Sequence, residues 1–108
     1  MSYWTYIVAS KSGTLYTGMT GSIFRRMFQH KKHTFEGFTA KYDCTRLVWF
    51  AEHPYVHDAI AQEKQIKGWT RAKKEALIRS ENPHWNDLAE HWGARMLMPN
   101  ERISDQKD

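Results

Sequence analysis

Cysteine is nearly missing from this chain: Cys44 is the single one among 108 residues. A disulfide framework is thereby excluded, and a reducing compartment, the cytoplasm, is the expected setting. Long apolar runs are missing as well. No stretch approaches the roughly 18 apolar residues that cross a membrane as a helix, so no membrane partner is expected. The opening Met-Ser-Tyr-Trp-Thr-Tyr has neither a basic region nor an apolar core and does not read as a signal peptide. No internal repeat and no low-complexity run appears, which excludes a repeat architecture. Proline occurs only three times, and Pro54 and Pro83 fall where elements stop.

What the chain does have is rings and positive charge. Aromatic residues make up 14%, five of them Trp, and the formal net charge is +4. With 41% hydrophobic and 26% charged residues, the composition is that of one globular domain with one core. A moderately basic domain often meets polyanions, although charge alone does not decide this.

Periodicity supplies the elements. Trp4 to Ser10 and Leu15 to Met19 alternate as strands about a turn at Ser10 to Thr14 that contains Gly13. Thr20 or Ser22 can cap a first helix running to about Lys32. Residues 34 to 44 read as a loop. Arg46 to Glu52, "RLVWFAE", is a third strand, apolar enough to be central, and a second helix spans about Val56 to Lys67 before Gly68. Thr70 caps a third helix that ends at Asn82-Pro83, and "HWNDLAEHW" can form a short last helix. The expected class is α+β, a small three-stranded antiparallel sheet flanked by helices in the order β-β-α-β-α-α. The domain is expected over residues 1–93, with a disordered polar tail at 94–108.

Certain side chains do not fit a plain core. Tyr6 and Tyr16 can share one face of the hairpin, with Gly18 beside the second. Phe or Val would serve a core as well, although buried tyrosines commonly keep a partnered hydroxyl. In the first helix Ile23, Phe24, Met27 and Phe28 form a packing stripe. Arg26, His30 and His33 form a second stripe beside it, at i, i+4 and i+7. His30 and His33 also have the spacing of a metal pair, but without cysteine or acidic companions that is a weak zinc signal. Glu63 falls inside the apolar arc made by Val56, Ala59, Ile60 and Ile66. Burying an unpartnered carboxylate costs several kcal/mol, on the order of a buried ion's desolvation. Glu63 therefore either pairs with a cation, Arg26 or a metal ion, or borders a cavity.

The ordered set Tyr6, Tyr16-Thr17-Gly18, Arg26, His30 and Glu63 resembles the GIY-YIG nuclease superfamily. "YTGMTGSIFRRMFQH", "EKQIKGW" and "NPHWNDL" are similar to signatures of small stand-alone bacterial members, which look like the nuclease domain of the excision-repair incision subunit. The resemblance covers about residues 3 to 92. It implies metal-dependent cleavage of phosphodiester bonds in DNA. It also implies catalytic roles for Tyr6, Tyr16, Arg26, His30 and Glu63, with Glu63 as the ligand of one Mg²⁺ or Mn²⁺ ion. Gly18, Lys41 and a late Asn would meet the substrate; Asn82 is the preferred match for that Asn and Asn86 the other. Trp4-Thr5 stand where the first motif's Gly-Ile would.

The chemistry agrees with these roles. A phenol can position the attacking water, take its proton, or bond a nonbridging oxygen, and near a dication it ionises below its usual pKa of about 10. Tyr6 is the preferred base, helped by His30. Gly18 would let backbone and phosphate approach closely. Arg26 offers forked donors to a phosphoryl group. One carboxylate suffices for a cation that keeps most of its waters. Lys31, Lys32, Lys41, Lys67, Arg71, Lys73 and Lys74 are candidates for backbone contacts, and Trp69 or Phe38 for stacking on an unpaired base. The competing expectations are a non-catalytic nucleic-acid-binding module of the same fold and a histidine-based metal-binding protein.

Overall fold

A computed structural model describes residues 1–32 and 43–92. It contains β1 (Tyr3–Ala9), β2 (Leu15–Thr20), α1 (Ile23–Lys31), β3 (Arg46–His53), α2 (Val56–Lys67) and α3 (Arg71–Glu81). The expected α+β class and the order β-β-α-β-α-α are what the structure has. The strands form one antiparallel sheet in the order β2-β1-β3. The expected loop at 34–44 falls mostly outside the described residues, as do the tail at 94–108, His33, Phe38 and Lys41.

β1, not β3, is the central strand. Its residues Thr5 to Ala9 are buried on both faces, which is why the run Tyr-Ile-Val-Ala shows no polar position. Tyr6 and Val8 face one layer with Ile23, Met27, Cys44 and Leu47. Ile7 and Ala9 face the other layer with Val48, Ile66 and Ile78. Helix α1 thus covers one side of the sheet, and α2 and α3 cover the other.

The apolar look of β3 has a different cause. It is an edge strand, but both faces are covered, and a later segment closes its edge. Leu47 N–H donates to Asp87 Oδ1 at 3.1 Å, and Leu88 N–H donates to Leu47 O at 2.8 Å. These bonds close the edge at Leu47.

That segment is not the expected short helix. Residues 83–84 and 88–91 are turns and 85–87 are irregular, with Trp85 in the left-handed region at φ 55°, and only Trp92 is helical. Side chains bond several of the segment's backbone N–H groups, while Glu90 and Trp92 N–H donate to Asp87 O and Ala89 O at 3.1 Å each. Asn86 N–H donates to Asn82 Oδ1 at 3.1 Å, and Ala89 N–H donates to Asp87 Oδ1 at 2.9 Å. Arg46 Nη1 donates to Trp85 O at 3.2 Å, while its Nη2 reaches Ser10 O at 2.7 Å.

The turns and caps follow from local chemistry. The hairpin closes with Ser10 N–H donating to Thr14 O at 2.9 Å and Thr14 N–H donating to Ser10 Oγ at 2.9 Å. Gly13 takes φ 95°, where a side chain would be strained. Ser22 precedes α1 without a side-chain cap; Thr20 Oγ1 instead accepts from Ser22 N–H at 3.0 Å. Thr70 caps α3 by accepting from Lys73 N–H at 3.2 Å.

Candidate functional site

The hairpin register sets the site. Tyr6 lies opposite Gly18, and Val8 lies opposite Tyr16. Both tyrosines therefore lean toward α1. The Tyr6 ring lies over the Gly18 backbone, where an added Cβ would stand 2.6 Å from the Tyr6 hydroxyl and 2.7 Å from Cζ. Gly18 is thus required by a ring of the protein itself, a closer reason than the approach of a phosphate.

His30 comes down from α1 onto this ring. The buried residues of α1 are Ile23, Met27 and His30, spaced i, i+4 and i+7. The packing stripe is rotated from the expected one: His30 belongs to it, and Phe24 is left half exposed against Trp92. A polar ring is tolerated there because Tyr6 Oη lies 3.1 Å from His30 Nε2. The two rings meet edge to face at 5.6 Å, and the Tyr16 ring lies 6.2 Å from that of His30.

Burial governs the proton chemistry of this pair. It pushes the Tyr6 phenol up to about 12, against the opposing pull of the Arg26 guanidinium. It also pulls the His30 imidazole down to about 4, and here the Arg26 charge acts in the same direction. At neutral pH both groups are uncharged. The phenol O–H can donate to Nε2, and Arg26 is the permanent charge beside them.

Glu63 approaches from α2. Its ion pair is with Lys67, one helical turn on, with 3.0 Å between Lys67 Nζ and Glu63 Oε2. The expected alternative of Arg26 is replaced by this i,i+4 partner, which the helix brings alongside. The Glu63 side chain is 19% exposed, so it borders solvent and is not sealed in the core. The same ammonium lies 5.6 Å from the centroid of the Tyr16 ring. Helix α2 packs mainly on the opposite sheet face, yet at the β2 edge its Glu63–Lys67 turn reaches the tyrosine side.

Asn82 stands elsewhere. It is buried, and its amide donates to Val48 O at 3.1 Å and Asn86 O at 2.9 Å while accepting from Asn86 N–H. Val48 belongs to the α2–α3 side of the sheet. Asn82 therefore holds the segment that follows α3, and the structure does not bring it to Tyr6. Asn86 takes part in the same closure through its backbone.

Several expected phosphate contacts have internal partners. Lys31 donates to Thr45 O at 3.1 Å and pairs with Asp87 at 2.5 Å. Arg71 pairs with Glu75 at 2.7 Å, and Arg79 closes on the other oxygen of the same carboxylate at 3.0 Å. Trp69 is partly buried against the second core layer, with Lys73 Nζ 4.6 Å from its ring centroid. Lys67 is the residue to which sequence reasoning gave too small a role. The Glu63-to-Lys67 spacing was the signal that could have found it.

Among the described residues no three His, Cys, Asp or Glu side chains converge. The available donor chemistry is one partly exposed carboxylate next to tyrosines and an arginine. This fits a hard, largely hydrated dication better than a chelated soft metal.

Comparison with known proteins agrees with this arrangement. Residues 2–76 match the family model described as the GIY-YIG catalytic domain. The UPF0213 protein BH0048 of Halalkalibacterium halodurans is 32% identical over 78 residues, covering 72% of this chain and 83% of the relative. A UPF0213 protein of Staphylococcus aureus is 34% identical over 82 residues, covering 72% of this chain and 95% of the relative. The solution NMR structure of BH0048, from Bacillus halodurans in its own description, superposes with a TM-score of 0.54 at 29% identity. It covers 81% of this chain and 93% of that one. With its hairpin tyrosines, its arginine-bearing helix and its matched catalytic-domain model, this chain belongs to the GIY-YIG family.

Proposed function

We propose that the protein is a metal-dependent endonuclease that hydrolyses phosphodiester bonds in DNA, single-stranded or branched DNA foremost. The observation that carries the reading is the Tyr6–His30 contact at 3.1 Å beside Arg26, on the face that Tyr16 shares. Each of these groups has a task in water attack on a phosphodiester.

Arg26 holds the phosphoryl group and stabilises the charge that grows on its oxygens. Tyr16, nearer the solvent than Tyr6, hydrogen-bonds a nonbridging oxygen. Tyr6 takes the proton of the attacking water while passing its own to His30 Nε2. A free tyrosinate is disfavoured in so buried a place, so the proton needs this exit. Glu63 is the residue that would hold one Mg²⁺ or Mn²⁺ ion, which when bound supplies positive charge to the phosphate and eases loss of a proton nearby. With a net charge of +4, binding relies on phosphate contacts more than base readout.

The test is cleavage of single-stranded, flapped and duplex DNA and of RNA, with Mg²⁺, with Mn²⁺ and in EDTA. Metal-dependent products, lost in Arg26→Ala, are expected. Salt-sensitive binding of nucleic acid without cleavage under any condition would instead identify a binding module. Full activity after exhaustive chelation would remove the metal from the mechanism.

A further inference from the structure

Lys67 closes α2 with an ammonium that lies 3.0 Å from Glu63 Oε2 and 5.6 Å from the centroid of the Tyr16 ring. Its side chain is 48% exposed, against 19% for Glu63. A cation so placed sits between the carboxylate assigned to the metal and the ring assigned to the phosphodiester. It also occupies one of the carboxylate oxygens that a metal ion would need.

We propose that Lys67 is an internal counter-ion for Glu63 that a divalent cation displaces, and that the released ammonium then binds a phosphate oxygen of the nucleic acid beside Tyr16. This rests on the reading of Glu63 as a metal ligand. Two consequences follow from charge alone. In the metal-free protein the Glu63 carboxylate is already neutralised, so the helix face is stable without an ion. When a dication arrives, it and the ammonium repel each other, and the flexible four-carbon stem lets the ammonium leave. The site then gains a phosphate-binding cation only in its metal-loaded form. Metal and nucleic acid therefore bind cooperatively, because each favours the same position of Lys67.

The experiment measures Mn²⁺ binding by loss of the free-ion electron paramagnetic resonance signal, at low salt, on the full chain. The wild type is compared with Lys67→Met, Lys67→Arg, Lys64→Met and Glu63→Gln. Lys64 is an exposed neighbour on the same helix, so its loss removes equal charge without touching the pair. Lys67→Met is expected to tighten Mn²⁺ binding roughly threefold to tenfold. Lys67→Arg should stay near the wild type, and Lys64→Met should change affinity less than about twofold. A second readout is the salt dependence of binding to a single-stranded phosphorothioate oligonucleotide. Lys67→Met should lower the slope by about one in saturating Mn²⁺ and leave it nearly unchanged in EDTA.

Mn²⁺ binding no tighter in Lys67→Met than in Lys64→Met would overturn the proposal. So would an equal loss of slope in EDTA and in Mn²⁺, which would make Lys67 an ordinary phosphate contact. Equal Mn²⁺ affinity in Glu63→Gln and wild type is a different failure: it would overturn the metal assignment itself. Circular dichroism and a thermal melt check that the half-exposed substitution leaves the fold intact.

Discussion

Tyr6 and Gly18 face each other across the β1–β2 ladder, and the tyrosine ring occupies the space where a Gly18 Cβ would stand, 2.6 Å from the hydroxyl oxygen. The two residues act as one unit. The glycine leaves room for the end of the ring beside β2, and the hydroxyl placed there lies 3.1 Å from His30 Nε2.

Gly18→Ala is accordingly expected to destabilise the fold by about 1–3 kcal/mol, the usual cost of overpacking a filled core. The ring must move, so turnover should fall as well. A thermal melt with a parallel cleavage assay checks both. An unchanged melting temperature would show that the ring yields freely.

Tyr6→Phe removes one oxygen and keeps the ring. His30 Nε2 loses its partner in a buried place, at a cost of about 1–3 kcal/mol. The proton route also disappears, and cleavage should fall by about 10²- to 10⁴-fold. Tyr16→Phe should cost less stability, since that ring is only partly buried. Wild-type cleavage rates in both variants would make the tyrosines core rings only.

His30 makes stability depend on pH. Its folded pKa of about 4 lies below the ordinary 6.5, so between these values the unfolded chain binds the extra proton. Stability is fully present above about pH 6.5 and is lost as pH falls toward about 4, by roughly 3 kcal/mol at the limit. Urea melts at pH 7 and pH 4.5 on the wild type and His30→Gln test this. The wild type should lose more stability than the variant, and parallel losses would contradict it.

Glu63→Gln should leave the melting temperature in EDTA nearly level. The pair it breaks is an i,i+4 contact with a half-exposed lysine, worth about 0.3–0.5 kcal/mol. Cleavage should nevertheless collapse. A large loss of stability in EDTA, with activity falling only as protein unfolds, would make Glu63 a structural residue and end the metal assignment.

Asn82→Ala is expected to act on stability first. It releases Val48 O and both ends of the Asn86 contact from their buried partner, at about 1–3 kcal/mol for each group left unpaired. Its cleavage rate, corrected for the folded fraction, should stay close to wild type. A tenfold drop in that corrected rate with an unchanged melt would instead place Asn82 on the substrate.

By itself the sequence determined the elements, because their causes are local. Alternation in Trp4 to Ser10, the Ser10-to-Thr14 turn, the Thr70 cap and the stop at Asn82-Pro83 depend on near neighbours, and the strands and helices follow them. The ordered spacing of Tyr6, Tyr16, Gly18, Arg26, His30 and Glu63 likewise carried the family. Only the tertiary structure decided what depends on distant chain segments. β1 is central because it pairs with both β2 and β3, and the apolar edge strand β3 is met at Leu47 by Asp87 and Leu88, some forty positions from its start, which no pattern within "RLVWFAE" contains. In "HWNDLAEHW" the Asn82 and Asp87 side chains bond the Asn86 and Ala89 N–H groups, and only Trp92 at its end is helical. His30 entered the buried stripe because a tyrosine hydroxyl from another element was there to receive it. Glu63 took Lys67 in place of Arg26 because the helix places that ammonium 3.0 Å away. Polar groups settle where partners stand, and the fold decides where those partners are.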